Sequence, residues 1–557
     1  MAVAANRFQL ARTIDEERAQ LRAPLQSDVI WKQQHSVYAD SLRTAYPGQT
    51  LRFNLPADPG KFLDTINSYF QFDVQMLTSI SGGTETVATQ LTPTTTVVPI
   101  NGVTSLIRFV RITSRGYTLE EIDNYGMLDS IFKEVTVPAN ETRSVGWIGG
   151  YSPRVPATKG VLATVAWPNT AQVTGATAGT PFCNNHVDMT RITNTKKMWA
   201  PVYVNGTPMP VTKCFRLDLA GLFKSNHYLP LEWMPLTIEI VFHNANACLR
   251  SDLWPAASLT VASSAVTAGA IASSTDLDAL NVSKSFKITN PIFQAQLLSF
   301  NSEYTQAVNS KIASEGCVIP IKSWKTTTRY LQGSSDKMII TNKVKSLCRM
   351  MVVPQLHSVM RSGGLGMDTY PSRFYNPMYI SDTATTGTDI TSTMNTDSAA
   401  GRPFGFPYMV RSPAHPLAPI ELRDFRFLIG STPVTDHSID CTNGGAQQAM
   451  ECVKFFRALT DDMNLGGSRS ATAAGTSTLF VPSFKDEYGL ICQNFSLEQI
   501  EDDNVFVGQF ANNFSDLTLE LAYIGGTIAD TDKIHLTFFL EHNALLTVTP
   551  TQIAIES

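Results

Sequence analysis

INSYFQFDVQML, residues 66–77, carries an unbroken alternation of side chains. Phe70, Phe72, Val74 and Met76 point one way, and Gln71, Asp73 and Gln75 the other. A period of two is the signature of a β-strand buried on one face. The same pattern spreads outward in both directions. TLRFNLP (50–56), SLIRFVRITS (105–114), KCFRLDLAGLF (213–223), LTIEIVFHN (236–244) and FKITNPIFQAQLLSF (286–300) read as strands of the first half. CVIPIKSWKTTTRYL (317–331), SLCRMMVVPQ (346–355), ELRDFRFLIG (421–430), LTLELAY (517–523) and IHLTFFLEH (534–542) repeat the style in the second. The chain reads as all-β.

Helices are few and short. TLEEIDNYGMLDSIF (118–132) is expected to open a helix on a capping box, Thr118 with Glu121, and to carry the stripe Ile122, Tyr125, Leu128 and Phe132. SEYTQAVNSKIASEG (302–316) places Tyr304, Val308 and Ile312 on one face and ends at Gly316. GGAQQAMECVKFFRAL (444–459) aligns Val453, Phe456 and Leu459.

These elements suggest an internal duplication. In each half an Arg-Phe strand precedes a turn and then a helix, at 106–128 and again at 422–453. The expected organisation is an N-terminal arm over 1–45, a sandwich over 46–301, a linker helix over 302–316 and a second sandwich over 317–557. In the arm, Arg7, Arg12, Arg18, Arg22, Lys32 and Arg43 mix with Asp15, Glu16, Glu17, Asp28 and Asp40, and with apolar Phe8, Leu10, Ile14, Leu21 and Trp31. Strand alternation begins only near residue 50, so the core is expected to need nothing before it. Five long stretches rich in Gly, Ser, Thr and Ala interrupt the strands, at 79–96, 168–180, 257–278, 381–401 and 464–477. Loops of that length usually carry function or form exposed decoration.

Composition narrows the function classes. Of 557 residues 43% are hydrophobic and only 16% charged, below the roughly 25% of an average soluble protein. Few charges suit a chain that buries surface against other subunits. The net charge of -5, with no basic run, gives no footprint for coating nucleic acid. The start MAVAANRFQLARTIDEERAQ has no apolar h-region, and no window offers the roughly 18 uninterrupted apolar residues of a membrane span.

No chemical constellation emerges. Cys183, Cys214, Cys248, Cys317, Cys348, Cys441, Cys452 and Cys492 are widely spread without a C-x-x-C pair, and read as buried reduced thiols. The nine histidines contain neither H-x-H nor H-E-x-x-H; the closest pair, His535 and His542, is offset by an odd number along a strand. Glu120/Glu121 read as a helix N-terminus, and Asp461/Asp462 and Glu501/Asp502/Asp503 as solvated loops. The Gly-Gly pairs read as turns and match no phosphate-binding loop. Trp147, Trp167, Trp199, Trp233 and Trp324 read as core or interface anchors. No catalytic, cofactor-binding or metal-ligating residue is assigned, no cofactor is expected, and the chain is expected not to be an enzyme.

Taken in order, several segments resemble a known family. LRFNLPADPGKFLDTINSYFQFDVQM resembles the first strand pair of double jelly-roll major capsid proteins of the tectivirus and adenovirus lineage. SLIRFVRITSRGYTLEEIDNYGMLDSIF is similar to its strand leading into an acidic helix. CFRLDLAGLFKSNHYLPLEWMPLTIEIVFHNA resembles its Leu-Pro-Leu turn before a long amphipathic strand, and LTLELAYIGG…IHLTFFLEHNALLTV its last strands. The similarity runs over residues 50–550 and is nearest to polinton-like virus, virophage and adintovirus capsids. Its specificity lies in the order of the motifs, each of which is degenerate.

The resemblance implies two consecutive jelly rolls standing side by side, a homotrimer forming a pseudo-hexagonal capsomer, and an icosahedral virion shell assembled inside the infected host cell. Its implied partners are itself, neighbouring capsomers and a penton or minor capsid protein, with an inner membrane or a host receptor as further candidates and no specific nucleic acid. Two rivals stand beside it: a viral glycan-binding or glycan-hydrolysing β-sandwich spike, and a single-jelly-roll capsid protein whose second half has a different strand order.

Overall fold

A computed structural model describes residues 29–81, 84–90, 97–99, 101–137, 145–151, 197–224, 227–251, 285–331, 335–340, 344, 346–356, 379–383, 401–407, 421–441, 446–456, 469–472, 478–481, 490–496, 510–511, 517–524 and 534–556. The first half contributes eight principal strands: β1 (Val29–Tyr38), β2 (Thr50–Leu55), β3 (Lys61–Ser81), β4 (Ile107–Ser114), β5 (Tyr117–Asp123), then, after the small hairpin β6 (Val202–Val204) and β7 (Thr207–Met209), β8 (Val211–Phe215), β9 (Leu236–Phe242) and β10 (Ser285–Phe300). They pair antiparallel in two sheets, β1-β10-β3-β8 and β2-β9-β4-β5. Counted along the chain, the orders are first-eighth-third-sixth and second-seventh-fourth-fifth.

The second half repeats both orders. Its principal strands are β11 (Cys317–Leu331), β12 (Ser335–Ile340), β13 (Ser346–Leu356), β14 (Glu421–Ile429), a broken fifth strand made of β15 (Thr432–Pro433) and β16 (Ile439–Asp440), β17 (Ile491–Asn494), β18 (Leu517–Ile524) and β19 (Ile534–Val548). One sheet runs β11-β19-β13-β17, the other β12-β18-β14 with β15 and β16 on its edge. A final strand, β20 (Ile553–Glu556), pairs with β19. Two sheets with these orders make a jelly roll, so the chain is a double jelly roll. The equal order in both halves removes the single-jelly-roll alternative.

Each sandwich closes over its own apolar face. In the first, Phe53 of β2 and Phe242 of β9 meet Phe70 and Phe72 of the opposite sheet, with ring centroids 5.3 Å apart for Phe53–Phe70 and 6.0 Å for Phe72–Phe242. Phe70, Phe72, Val74 and Met76 are all buried, as their alternation requires. In the second, Met350, Val352, Phe538 and Leu540 face Ile340, Phe427, Leu519 and Leu521.

The helices that bear on the argument are α1 (Tyr125–Thr136), α2 (Val145–Gly149), α3 (Gly221–Lys224), α4 (Ser302–Ser314) and α5 (Ala446–Phe456). α1 and α5 each follow the fifth strand of their sandwich, which is the repeated order of elements seen in the sequence. α4 joins the sandwiches; Asn301 caps it by accepting from Tyr304 N at 2.7 Å, and Gly316 just beyond it has φ +78°.

Two expectations need correction. Residues 118–123 form strand β5 and not the first turns of a helix, so Thr118 and Glu121 make no capping box. The cause is the two-residue turn Arg115-Gly116, both residues left-handed (φ 48° and 84°), which sends the chain straight back along β4. The helix starts seven residues later than expected, after Asn124 at φ 54°. The arm is also shorter than expected. Residues 29–38 are β1, hydrogen-bonded to β10 from Val29↔Phe300 to Tyr38↔Ile292. Its polar composition hid it, because an edge strand open to solvent shows no apolar alternation.

Candidate assembly surfaces

In a jelly roll, connections 1–2, 3–4, 5–6 and 7–8 leave from one end and the other three from the opposite end, because successive strands run antiparallel. The five long polar stretches join strands 3–4, 5–6 and 7–8 of the first sandwich and 3–4 and 5–6 of the second. All five therefore connect strand ends on the same side of their sandwich. The two sandwiches also point the same way: Arg115, in the 4–5 turn of the first, donates to Pro550 O at 2.9 Å, just past the end of β19.

The joint between the sandwiches is built on β11. Trp324 of β11 meets Phe132 of α1 with ring centroids 5.5 Å apart, and Phe455 of α5 at 6.3 Å. Thr326 Oγ1 donates to Asp123 O at 2.8 Å, at the end of β5. Gly221 of α3 rests on the β11 backbone; a Cβ there would lie 1.9 Å from Lys322 O, so only glycine allows the approach. Glu120 of β5 is buried and accepts from Gly221 N (2.7 Å), Leu222 N (3.2 Å) and Ser323 Oγ (2.6 Å). Burial pushes its carboxyl up, and these three donors oppose the rise.

Beside Trp324 lies a buried ion pair. Arg349 of β13 and Glu541 of β19 are paired across the ladder. Arg349 Nη2 donates to Glu541 Oε1 at 2.9 Å, its Nε to the other oxygen, and its Nη1 to Phe455 O. The guanidinium carbon stands 4.9 Å from the Phe455 ring, 5.6 Å from Trp324 and 5.7 Å from Phe132. Burial raises the Glu541 carboxyl, but the Arg349 charge and hydrogen bonds, with Lys224 and Lys322, outweigh it and hold it at about 2. Neither residue stood out as functional in the sequence. The signal was there: each is a lone charge within an apolar strand pattern, SLCRMMVVPQ and IHLTFFLEH.

Other faces remain open. Ile30, Trp31 and Tyr38 of β1 are exposed, as are Val202, Tyr203, Val204 and Met209 on the β6–β7 hairpin, and Trp147 and Ile148 of α2. Lys213 of β8, itself buried, donates to Trp147 O at 3.0 Å and stands 5.2 Å from the Trp199 ring. Burial brings its ammonium down to about 8.

The residues weighed for chemistry are dispersed. Cys248, Cys348, Cys441, Cys452 and Cys492 are buried thiols outside any disulfide, Cys214 and Cys317 half-buried ones, and Cys183 lies outside the described residues. His243 and His542 are buried, and the side chain of His535 is outside the described residues. Glu120 and Glu121 sit on β5 rather than at a helix N-terminus, while Asp461, Asp462 and residues 501–503 are outside the described residues. Of the tryptophans, Trp199 and Trp324 are buried, Trp147 is exposed and Trp167 lies outside the described residues. Among the described residues no group of three His, Cys, Asp or Glu side chains could hold a metal, and no helix is long and apolar enough to cross a membrane.

No family model and no curated protein matches the chain. Solved structures do. It is similar to the Faustovirus major capsid protein at 10% identity, over 95% of this chain and 92% of that one, with a TM-score of 0.47. It is similar to a chain of the Sputnik virophage structure at 10% identity, over 95% and 88%, with a TM-score of 0.48. The mavirus major capsid protein matches at 10% identity over 96% and 91%, with a TM-score of 0.41.

Proposed function

We propose that this chain is the major capsid protein of an icosahedral virus, a structural subunit whose work is assembly and not catalysis. One observation carries the reading. Two sandwiches of identical strand order stand side by side, pointing the same way, with every long polar stretch joined at one end. Such a block can tile a surface: its flanks meet neighbours, and one end presents the long loops outward. The low charge of the chain, 16%, fits flanks that become buried. The units are the sandwiches on either side of α4, and the assembly is a homotrimer with pseudo-hexagonal outline that packs against further capsomers and a penton or minor capsid protein in the virion. Light scattering on the purified chain, with negative-stain microscopy, tests this. Trimers of hexagonal outline, or whole shells, are expected; a monomer at micromolar concentration overturns it.

A further inference from the structure

Helix α5 packs on the second sandwich, and two thiols meet where it does so. On the sheet β11-β19-β13-β17, the face turned away from the sandwich interior carries Trp324, Met351 and Cys492. These are buried in one apolar cluster with Cys452, Phe455 and Phe456 of α5. Ile491, one residue before Cys492, turns the other way, into the interior. Polar contacts fix the seat of the helix. Gln448 Nε2 donates to Leu490 O at 2.6 Å, and Gln493 Nε2 to Glu451 Oε2 at 3.5 Å. Cys452 stands one turn beyond Gln448 on the same helix face, and Cys492 two residues beyond Leu490. The two thiols therefore face each other, within hydrogen-bond reach, and neither is exposed to water.

We propose that Cys452 and Cys492 are a latent disulfide, open in a reducing medium and closed in an oxidising one, which staples α5 onto β17. The bond forms by exchange with a small disulfide such as oxidised glutathione. One protein thiolate attacks a sulfur of that disulfide, whose S–S bond breaks and releases one small thiol. The second protein thiolate then attacks the first protein sulfur, and the other small thiol leaves. The two protons of the protein thiols end on the two small thiols, and two electrons pass from the protein to the small disulfide. Burial pushes the Cys452 thiol up, so exchange waits for α5 to lift. The solvent is only one helix away: β17 is the last strand of its sheet among the described strands, and the other side of α5 borders an open groove of about 470 Å³ lined by Gln447 and Met450.

The bond would act on the joint between the sandwiches. Phe455 and Phe456 follow Cys452 within one turn. Phe455 O accepts from Arg349 Nη1, and the Phe456 ring meets Phe132 of the first sandwich at 5.1 Å. Closure fixes that turn of α5, and it ties about 40 residues of chain into a loop, which lowers the entropy of the unfolded state. What the staple is for rests on the capsid reading above. Cells keep thiols reduced and the medium outside does not, so a shell subunit would assemble with the pair open and stiffen after release.

The test uses the full chain, purified in reductant and then held folded in excess oxidised glutathione. A peptide map without reduction is expected to show Cys452 joined to Cys492, with the melting temperature raised by several degrees and restored by dithiothreitol. Cys452→Ala and Cys492→Ala should each lack the joined peptide and lose that rise, whatever their own stability. Wild-type thiols that stay unjoined, a bond from either one to Cys441 or to another chain, or a joined pair that leaves melting unchanged overturns the staple. The peptide map reads the same in a monomer as in a trimer, so this inference and the capsid reading fail separately.

Discussion

Arg349 and Glu541 face each other on neighbouring strands, nearly sealed from water, with the guanidinium enclosed by Phe132, Trp324 and Phe455. Two of those rings, Phe132 and Phe455, come from the two helices that follow the fifth strands, one from each sandwich. The ion pair therefore sits where the second sandwich is bound to the first. Removing one partner strands the other charge in a dry site, which typically costs about 3–5 kcal/mol. Glu541→Gln should lower the melting temperature sharply. Arg349→Met combined with Glu541→Leu should lower it less than Glu541→Gln alone, since no buried charge remains. A double variant that melts below the single one would show that the Arg349 hydrogen bond to Phe455 O matters more than the pair.

Acid should weaken the fold in two stages. Burial, reinforced by Lys325, brings His542 down to about 4, and burial, reinforced by Arg108, brings His243 down to about 3. Below 6.5 the unfolded chain binds more protons than the folded one, so stability falls with pH from there down to those values. Glu541 adds a second loss between about 4.5 and about 2, as its carboxylate is protonated away from Arg349. Melting temperatures measured between neutral pH and pH 4 should fall steadily, and His542→Asn should flatten part of that slope. A flat profile over the range would contradict this account.

Gly221→Ala tests the contact between sandwiches without touching either core. The added methyl would lie 1.9 Å from Lys322 O and 2.6 Å from its carbonyl carbon, both backbone atoms with little room to move. Either α3 or β11 must shift, and the hydrogen bonds from Gly221 N and Leu222 N to Glu120 go with it. Overpacking of this kind commonly costs about 1–3 kcal/mol, occasionally more. Faster proteolysis in the 301–316 region, alongside a lower melting temperature, is the expected result. Unchanged proteolysis and melting would mean the approach is looser than drawn.

Truncation separates the arm from the sheet. Deleting residues 1–28 should leave the melting temperature within a few degrees of the full chain, because β1 begins at Val29. Deleting 1–40 should lower it clearly, since it removes an edge strand hydrogen-bonded along its length to β10, together with buried Val37 and Ala39. Equal melting of the two truncated chains would show that β1 contributes nothing to the folded sandwich.

The sequence by itself determined the strand content, the positions of most long strands and the repeated order of strand, turn and helix. Those follow from local periodicity: Phe70, Phe72, Val74 and Met76 must share a face whatever they pack against. It misplaced the start of α1 by reading Thr118 and Glu121 as a cap, when a two-residue left-handed turn at Arg115-Gly116 made the segment a strand. It missed β1, because only Val37, near its end, is buried, which leaves no alternation to read. Only the tertiary structure decided which strands pair, that both sandwiches point one way, and that Trp324, Phe132 and Arg349 meet. Phe132 lies about two hundred positions before Trp324 and Arg349 along the chain, and no local pattern encodes such a distance. They arise because two half-covered sheets bury more apolar surface together than apart, and the partner each face chooses is settled by shape and charge in space.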